Sequence, residues 1–154
     1  VKKIIQKMLV ISMFITSALA GGTSAYALYY SKEFYDAIAY NYTEIGPVST
    51  TYNCLSYALG YTDRWLWPWG ETATTSQVDS FLKLYGYKGN TFGYVYATPG
   101  IIAYGPSTNN INHFAKATQA YVAKSKWGSL ELMQTTWDPY KPNGGYGPAL
   151  RYYN

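Results

Sequence analysis

Apolar residues recur along this chain with a helical period as far as residue 86 and with a strand-like period beyond it. In the first half, Ser31 to Tyr40 predicts a helix with Ser31 as N-cap, Glu33 in the first turn, and Phe34, Ala37 and Ile38 facing inward. Gly46-Pro47 breaks the chain into a loop. A short second helix is expected from Cys54, through Leu55, Tyr57, Ala58 and Leu59, to a closing glycine at Gly60. The clearest helix starts at Thr74, which has capping-box spacing with Gln77, and stops at Gly86. Val78, Phe81, Leu82 and Tyr85 share one of its faces.

Strands are predicted at Phe92–Ala97, Ile101–Tyr104, His113–Thr118, Ala120–Ser125 and Ala149–Tyr153, with proline, glycine and asparagine turns between them. Ala115 and Ala117 alternate with Lys116 and Thr118, as in a sheet with one buried face, and the same period points His113 inward. Trp127 to Pro148 reads as mainly irregular. Helices first and antiparallel strands second predict an α+β domain, with N-terminal helices packed on a small antiparallel sheet.

Between the second and third helices, Trp65, Trp67 and Trp69 fall within five residues around Pro68. No regular element tolerates that run. It is either a plug sealing the core or a wall of a cleft on which a sugar or peptide packs. Asp63-Arg64 reads as a local ion pair.

The N-terminus reads as a secretory signal over residues 1–27. Lys2, Lys3 and Lys7 form a basic region, Met8 to Ala20 an apolar one, and Ala25-Tyr26-Ala27 a small-residue cleavage site, with an uncleaved anchor as the alternative. The expected mature chain is a single domain over 28–154 that is secreted or cell-wall associated in a bacterium, monomeric, and not inserted in the membrane once the signal is removed. Three of the twelve basic residues lie in that leader, leaving nine against eight acidic ones. A net charge of +1 gives no reason to expect nucleic acid as a partner. Tyrosine is abundant, with nineteen in the chain, and supplies apolar area with a polar tip where charges are few.

One cysteine and one histidine are present, Cys54 and His113. An unpaired thiol in an exported protein is a reactive group, an intermolecular link or a buried small hydrophobe. At the start of a helix the peptide dipoles favour its thiolate, so a depressed pKa is expected. With a histidine to take its proton, Cys54 would be a nucleophile. One His and one Cys do not make a typical zinc site, and no glycine-rich phosphate loop follows a strand, so no metal or other cofactor is expected.

The order of elements, with Asn53-Cys54-Leu55-Ser56-Tyr57-Ala58 opening a helix and Asn112-His113-Phe114-Ala115 opening a strand, resembles the papain-like cysteine hydrolase superfamily. Within it the likeness is to the bacterial NlpC-type peptidases and CHAP-type amidases. A narrower likeness, over nearly all of the mature domain, is to uncharacterised bacterial domains that share four motifs. Here they are Asn53-Cys54 with Tyr57-Ala58-Leu59-Gly60, then Trp67-Pro68, His113, and Ser125-Lys126-Trp127-Gly128.

The resemblance implies a papain-like fold with Cys54 as nucleophile, His113 as general base and a third residue on the strand after histidine. Ser125 is placed for that role, with Ser129 and Glu131 behind it. It also implies an oxyanion held by the Cys54 amide and a side chain, Tyr52 or Asn53. The expected function is a secreted thiol hydrolase, a cysteine peptidase or amidase, cleaving amide bonds in peptidoglycan or another extracellular peptide. The other expectation is a non-catalytic module on the same fold that binds glycan or peptide through Trp65, Trp67 and Trp69.

Overall fold

The computed structural model describes residues 27–93 and 98–154. The signal sequence, apart from its last residue, and the end of the strand expected at Phe92–Ala97 lie outside those residues. Among the described residues, three helices, α1 (Lys32–Ile38), α2 (Cys54–Ala58) and α3 (Thr75–Lys83), accompany seven strands. The strands are β1 (Thr43–Gly46), β2 (Gly89–Thr91), β3 (Ile101–Tyr104), β4 (His113–Gln119), β5 (Val122–Lys126), β6 (Leu132–Thr135) and β7 (Ala149–Tyr153). They form one antiparallel sheet in the order β1-β6-β5-β4-β3-β7-β2, so the domain is α+β. Among the described residues no helix is long and apolar enough to cross a membrane.

Helix α3 has the expected capping box: Thr74 Oγ1 accepts from the Gln77 amide and Gln77 Oε1 from the Thr74 amide. Val78 and Leu82 are its buried residues, whereas Tyr85, just past its end, is exposed. In α1 the inward face differs from expectation. Tyr35 and Ile38 are buried, while Phe34 and Ala37 are exposed. The polar end of Tyr35 decides the phase, because its hydroxyl donates to the buried Glu131 carboxylate at 2.6 Å, a bond that Phe34 cannot make.

The sheet has hydrophobic cores on both faces. One gathers Ile102, Tyr104, Ala115, Ala117, Ala123, Met133 and Ala149 under α1 and Tyr140. The other gathers Ile101, Ala103, Phe114 and Tyr153 under α2 and α3. The single buried face expected for β4 therefore holds only for its outer half. Lys116 and Thr118 are exposed there, but His113, Phe114 and Ala115 are all buried, since the inner half is covered from both sides.

One further correction concerns an element. The segment Trp127–Pro148 contains β6, which pairs with β1 on one side and β5 on the other, although both β1 and β6 have only four residues. Of the strand expected at Phe92–Ala97, the described residues Phe92 and Gly93 are outside any strand, and just upstream of them Gly89, Asn90 and Thr91 form β2, pairing with Tyr153, Tyr152 and Arg151. The β4–β5 hairpin turns through Tyr121 at φ 61°.

Candidate active site

Cys54 is the first residue of α2, and Asn53 is its cap. Asn53 Oδ1 accepts from the Ser56 amide at 3.0 Å and the Ser56 hydroxyl at 2.8 Å, while Nδ2 donates to the Leu66 carbonyl at 2.6 Å. Ser56 Oγ in turn accepts from the Leu66 amide at 2.8 Å. Two polar side chains of one short helix thus clip the tryptophan loop to the cysteine.

The loop is in part a plug and in part the wall of a cleft. Trp69 is a plug, stacked on Phe114 and edge-on to Phe81. Trp65, half exposed, and Trp67 are walls of a cleft, and Trp67 also packs edge-on to Phe114. The cleft has a volume of about 300 Å³, and Asn53, Cys54, Glu71, Asn112, His113 and Tyr146 line it. The two single-copy residues, on α2 and β4, therefore meet at one depression.

They reach it from different faces. Cys54 belongs to the core beneath α2, with Phe114. His113 has the parity of Ala115 and Ala117 and is packed among Tyr104, Tyr140 and Tyr146 on the opposite side. The registered β4–β5 pairing ends at Lys116 and Lys124. The cleft lies over that opened end of the sheet.

The His113 ring is fixed on both sides. Its Nε2 and the Tyr140 hydroxyl are hydrogen-bonded at 2.9 Å, and Tyr146 stacks on its face with ring centroids 3.8 Å apart. Tyr146 gets that close because its glycine neighbours carry no Cβ. A methyl at Gly145 would sit 2.3 Å from the Ile38 carbonyl oxygen, and one at Gly147, which has φ +84°, would sit 2.6 Å from the Gly105 backbone. Tyr140 is held by an antiparallel bridge to Ala39 and by the Lys141 amide donating to the Ile38 carbonyl at 2.9 Å.

Ser125, expected to act on the histidine directly, stands one group further away. On β5 its Oγ is 2.9 Å from the Tyr140 hydroxyl, and Trp127 Nε1 donates to both oxygens at 3.2 Å. The chain of contacts is His113, Tyr140, Ser125, with Trp127 beside it. Ser129 is exposed, and Glu131 accepts from Tyr35 and from the Tyr29 amide instead of approaching the imidazole. Tyr52 lies outside the cleft lining, with Lys126 Nζ 5.3 Å from its ring centroid. Asn53 does line the cleft, but one of its N–H groups is committed to Leu66.

Electrostatics overturn one expectation. Burial pushes the Cys54 thiol up from 9.0 to about 11, against the Phe114, Leu55 and Cys54 amides, which pull the other way. A five-residue helix offers few dipoles, and here desolvation outweighs them. Burial likewise pulls His113 down from 6.5 to about 3. At neutral pH the resting pair is a neutral thiol beside a neutral imidazole.

Sequence reasoning missed Tyr140 and Tyr146. The only local sign of Tyr146 was its place between glycines, in Gly144-Gly145-Tyr146-Gly147; Tyr140 had none, being one tyrosine of nineteen. Also missed was the setting of Lys126, whose buried ammonium donates to the carbonyls of Ser49, Gly128 and Leu130. No curated protein and no solved structure matches the chain. A protein-family model does match, over residues 43–154, and the chain belongs to that family, a domain of unknown function (DUF7689).

Proposed function

We propose that this protein is an exported thiol hydrolase of papain-like fold that cleaves amide bonds in peptidoglycan stems or another extracellular peptide, with Cys54 as nucleophile and His113 as general base. The observation that carries this reading is that the chain's one cysteine and one histidine, on separate elements and about sixty residues apart, line the same cleft.

The neutral resting pair sets the order of events. As the sulfur attacks the substrate carbonyl, the S–H proton passes to the imidazole, so that charge develops only with bond formation. The tetrahedral intermediate collapses with cleavage of the C–N bond, and the imidazolium gives its proton to the departing amine. Water, deprotonated by the imidazole, then attacks the thioester; the C–S bond breaks and the thiol recovers a proton. The backbone amides of Phe114, Leu55 and Cys54 favour negative charge at the sulfur, and the Cys54 amide is the donor expected for the oxyanion. Trp65 and Trp67 would hold the substrate against the thiol.

The test is alkylation of Cys54 by a small neutral electrophile in the full chain at neutral pH, compared with His113→Ala. General-base assistance predicts a rate at least about tenfold higher with the histidine present. Equal rates would overturn the reading. A second reading, a peptide- or glycan-binding module, is favoured by the raised thiol and lowered imidazole pKa values together with the half-exposed Trp65. It predicts ligand binding that is unchanged in Cys54→Ala and lost in Trp65→Ala.

A further inference from the structure

The hydrogens around the Tyr140 hydroxyl can be counted. Its oxygen lies 2.9 Å from His113 Nε2, 2.9 Å from Ser125 Oγ and 3.2 Å from Trp127 Nε1. A phenol has one hydrogen to give and two lone pairs to offer, and an indole N–H only donates. Burial keeps this phenol protonated. Thr135 spends its hydroxyl hydrogen on the Thr136 carbonyl at 2.9 Å, so one lone pair goes to Trp127, and with both remaining contacts made, one of His113 and Ser125 donates to Tyr140 while the other accepts.

Two arrangements satisfy that count. In the first, Ser125 donates to Tyr140 and Tyr140 donates to Nε2, so the neutral ring carries its own hydrogen on Nδ1. In the second, His113 donates from Nε2, Tyr140 passes its hydrogen to Ser125, and Nδ1 keeps a free lone pair. The first satisfies the Ser125 hydrogen, which the second leaves without a partner among the described residues. The second is the one compatible with a charged ring, because an imidazolium donates from both nitrogens. Ser125 Oγ has room to accept, because its oxygen offers two lone pairs and Trp127 Nε1, 3.2 Å from both Ser125 and Tyr140, takes at most one of them.

We propose that Tyr140 and Ser125 form a two-position hydrogen relay that sets which ring nitrogen of His113 is protonated, and that Ser125 in its accepting position makes Nδ1 available as a base. The inference rests on the thiol reading of Cys54 and His113, and it gives Tyr140 and Ser125 the part of positioning residues. Ser125→Ala removes the acceptor. Tyr140 then has only Nε2 to donate to, and the ring is locked with its hydrogen on Nδ1.

One histidine in the chain makes the test direct. The full chain is labelled with 15N in histidine alone, and the tautomer is read from the shifts of the two ring nitrogens at neutral pH. Wild type is expected to show an Nε2–H population, Ser125→Ala only the Nδ1–H form, and Ser125→Thr, which keeps the hydroxyl, the wild-type pattern. Alkylation of Cys54 should slow at least about tenfold in Ser125→Ala and recover in Ser125→Thr. A wild-type ring wholly in the Nδ1–H form, or a pattern unmoved by Ser125→Ala, would overturn the relay. If the pattern moves as expected while alkylation ignores both Ser125→Ala and His113→Ala, the relay stands and the thiol hydrolase reading fails.

Discussion

Tyr146 lies flat on the imidazole of His113, with ring centroids 3.8 Å apart and planes within 6° of parallel. The contact removes water from one face of a ring whose other neighbours are Tyr104 and Tyr140, and that burial lowers its pKa. Tyr146→Ala should therefore raise the His113 pKa from about 3 toward its ordinary 6.5, by at least about one pH unit. An NMR titration of the single imidazole reads this. A pKa that stays low would mean that Tyr104 and Tyr140 suffice to desolvate the ring.

Two buried groups, His113 and Cys54, shape stability against pH. An unfolded histidine begins to protonate near 6.5, whereas the folded one resists to about 3, so below 6.5 the unfolded state binds more protons and stability falls. The loss should approach about 1.4 kcal/mol per pH unit from this group and level off near its folded pKa. For Cys54 the folded pKa is the higher, about 11 against 9.0, so its contribution is intact below 9 and is lost as pH rises through 11. Urea midpoints across pH should trace a plateau between those limits. His113→Gln should flatten the acid side and Cys54→Ala the alkaline side.

Asn53→Ala tests the clip between the thiol helix and the tryptophan loop. The substitution removes an N-cap, worth about 1 kcal/mol, and leaves the Leu66 carbonyl without its donor. A total loss of about 2–3 kcal/mol is expected in chemical denaturation. Because Leu66 lies between Trp65 and Trp67, tryptophan fluorescence should shift to the red as the loop loosens. A stability loss without that shift would place the effect in the helix alone.

How much of this arrangement is legible in the sequence depends on how local its cause is. The capping box of α3, the closing glycine after α2 and the alternation in the outer half of β4 are set by near neighbours, and all three are found. Ser125, which the resemblance sets on the strand after His113, does reach the same Tyr140 hydroxyl as the histidine. The phase of α1 could not, because Tyr35 is turned inward by Glu131, 96 residues away. β1 and β6 are short strands that exist through each other's hydrogen bonds, across nearly ninety residues. Tyr140 becomes the partner of His113 only because the end of α1 and the loop after β6 meet at Ala39, a contact with no counterpart in spacing or composition. The thiol pKa was misjudged for a related reason. The dipole of a helix start can be read from the sequence, but the desolvation that outweighs it comes from the packed surroundings.

Lys126 joins two loops at the back of the site. Its ammonium is fully buried and donates to the carbonyls of Ser49, Gly128 and Leu130, so one side chain ties the segment before Cys54 to the turn after β5. Burial lowers its pKa to about 8, yet the three acceptors need its three hydrogens. Lys126→Met leaves those carbonyls facing a methyl group and should cost about 2–4 kcal/mol in chemical denaturation. Lys126→Arg should not rescue it, because a planar guanidinium does not match three oxygens converging on one nitrogen. The Ser49 amide, which donates to the Ser129 carbonyl at 3.1 Å, should lose protection from hydrogen exchange. Lys126 is also the positive charge that lowers the Cys54 pKa, so titration of the thiolate absorbance should move to still higher pH in Lys126→Met. Unchanged exchange at Ser49 together with an unchanged thiol titration would show that Lys126 only fills space.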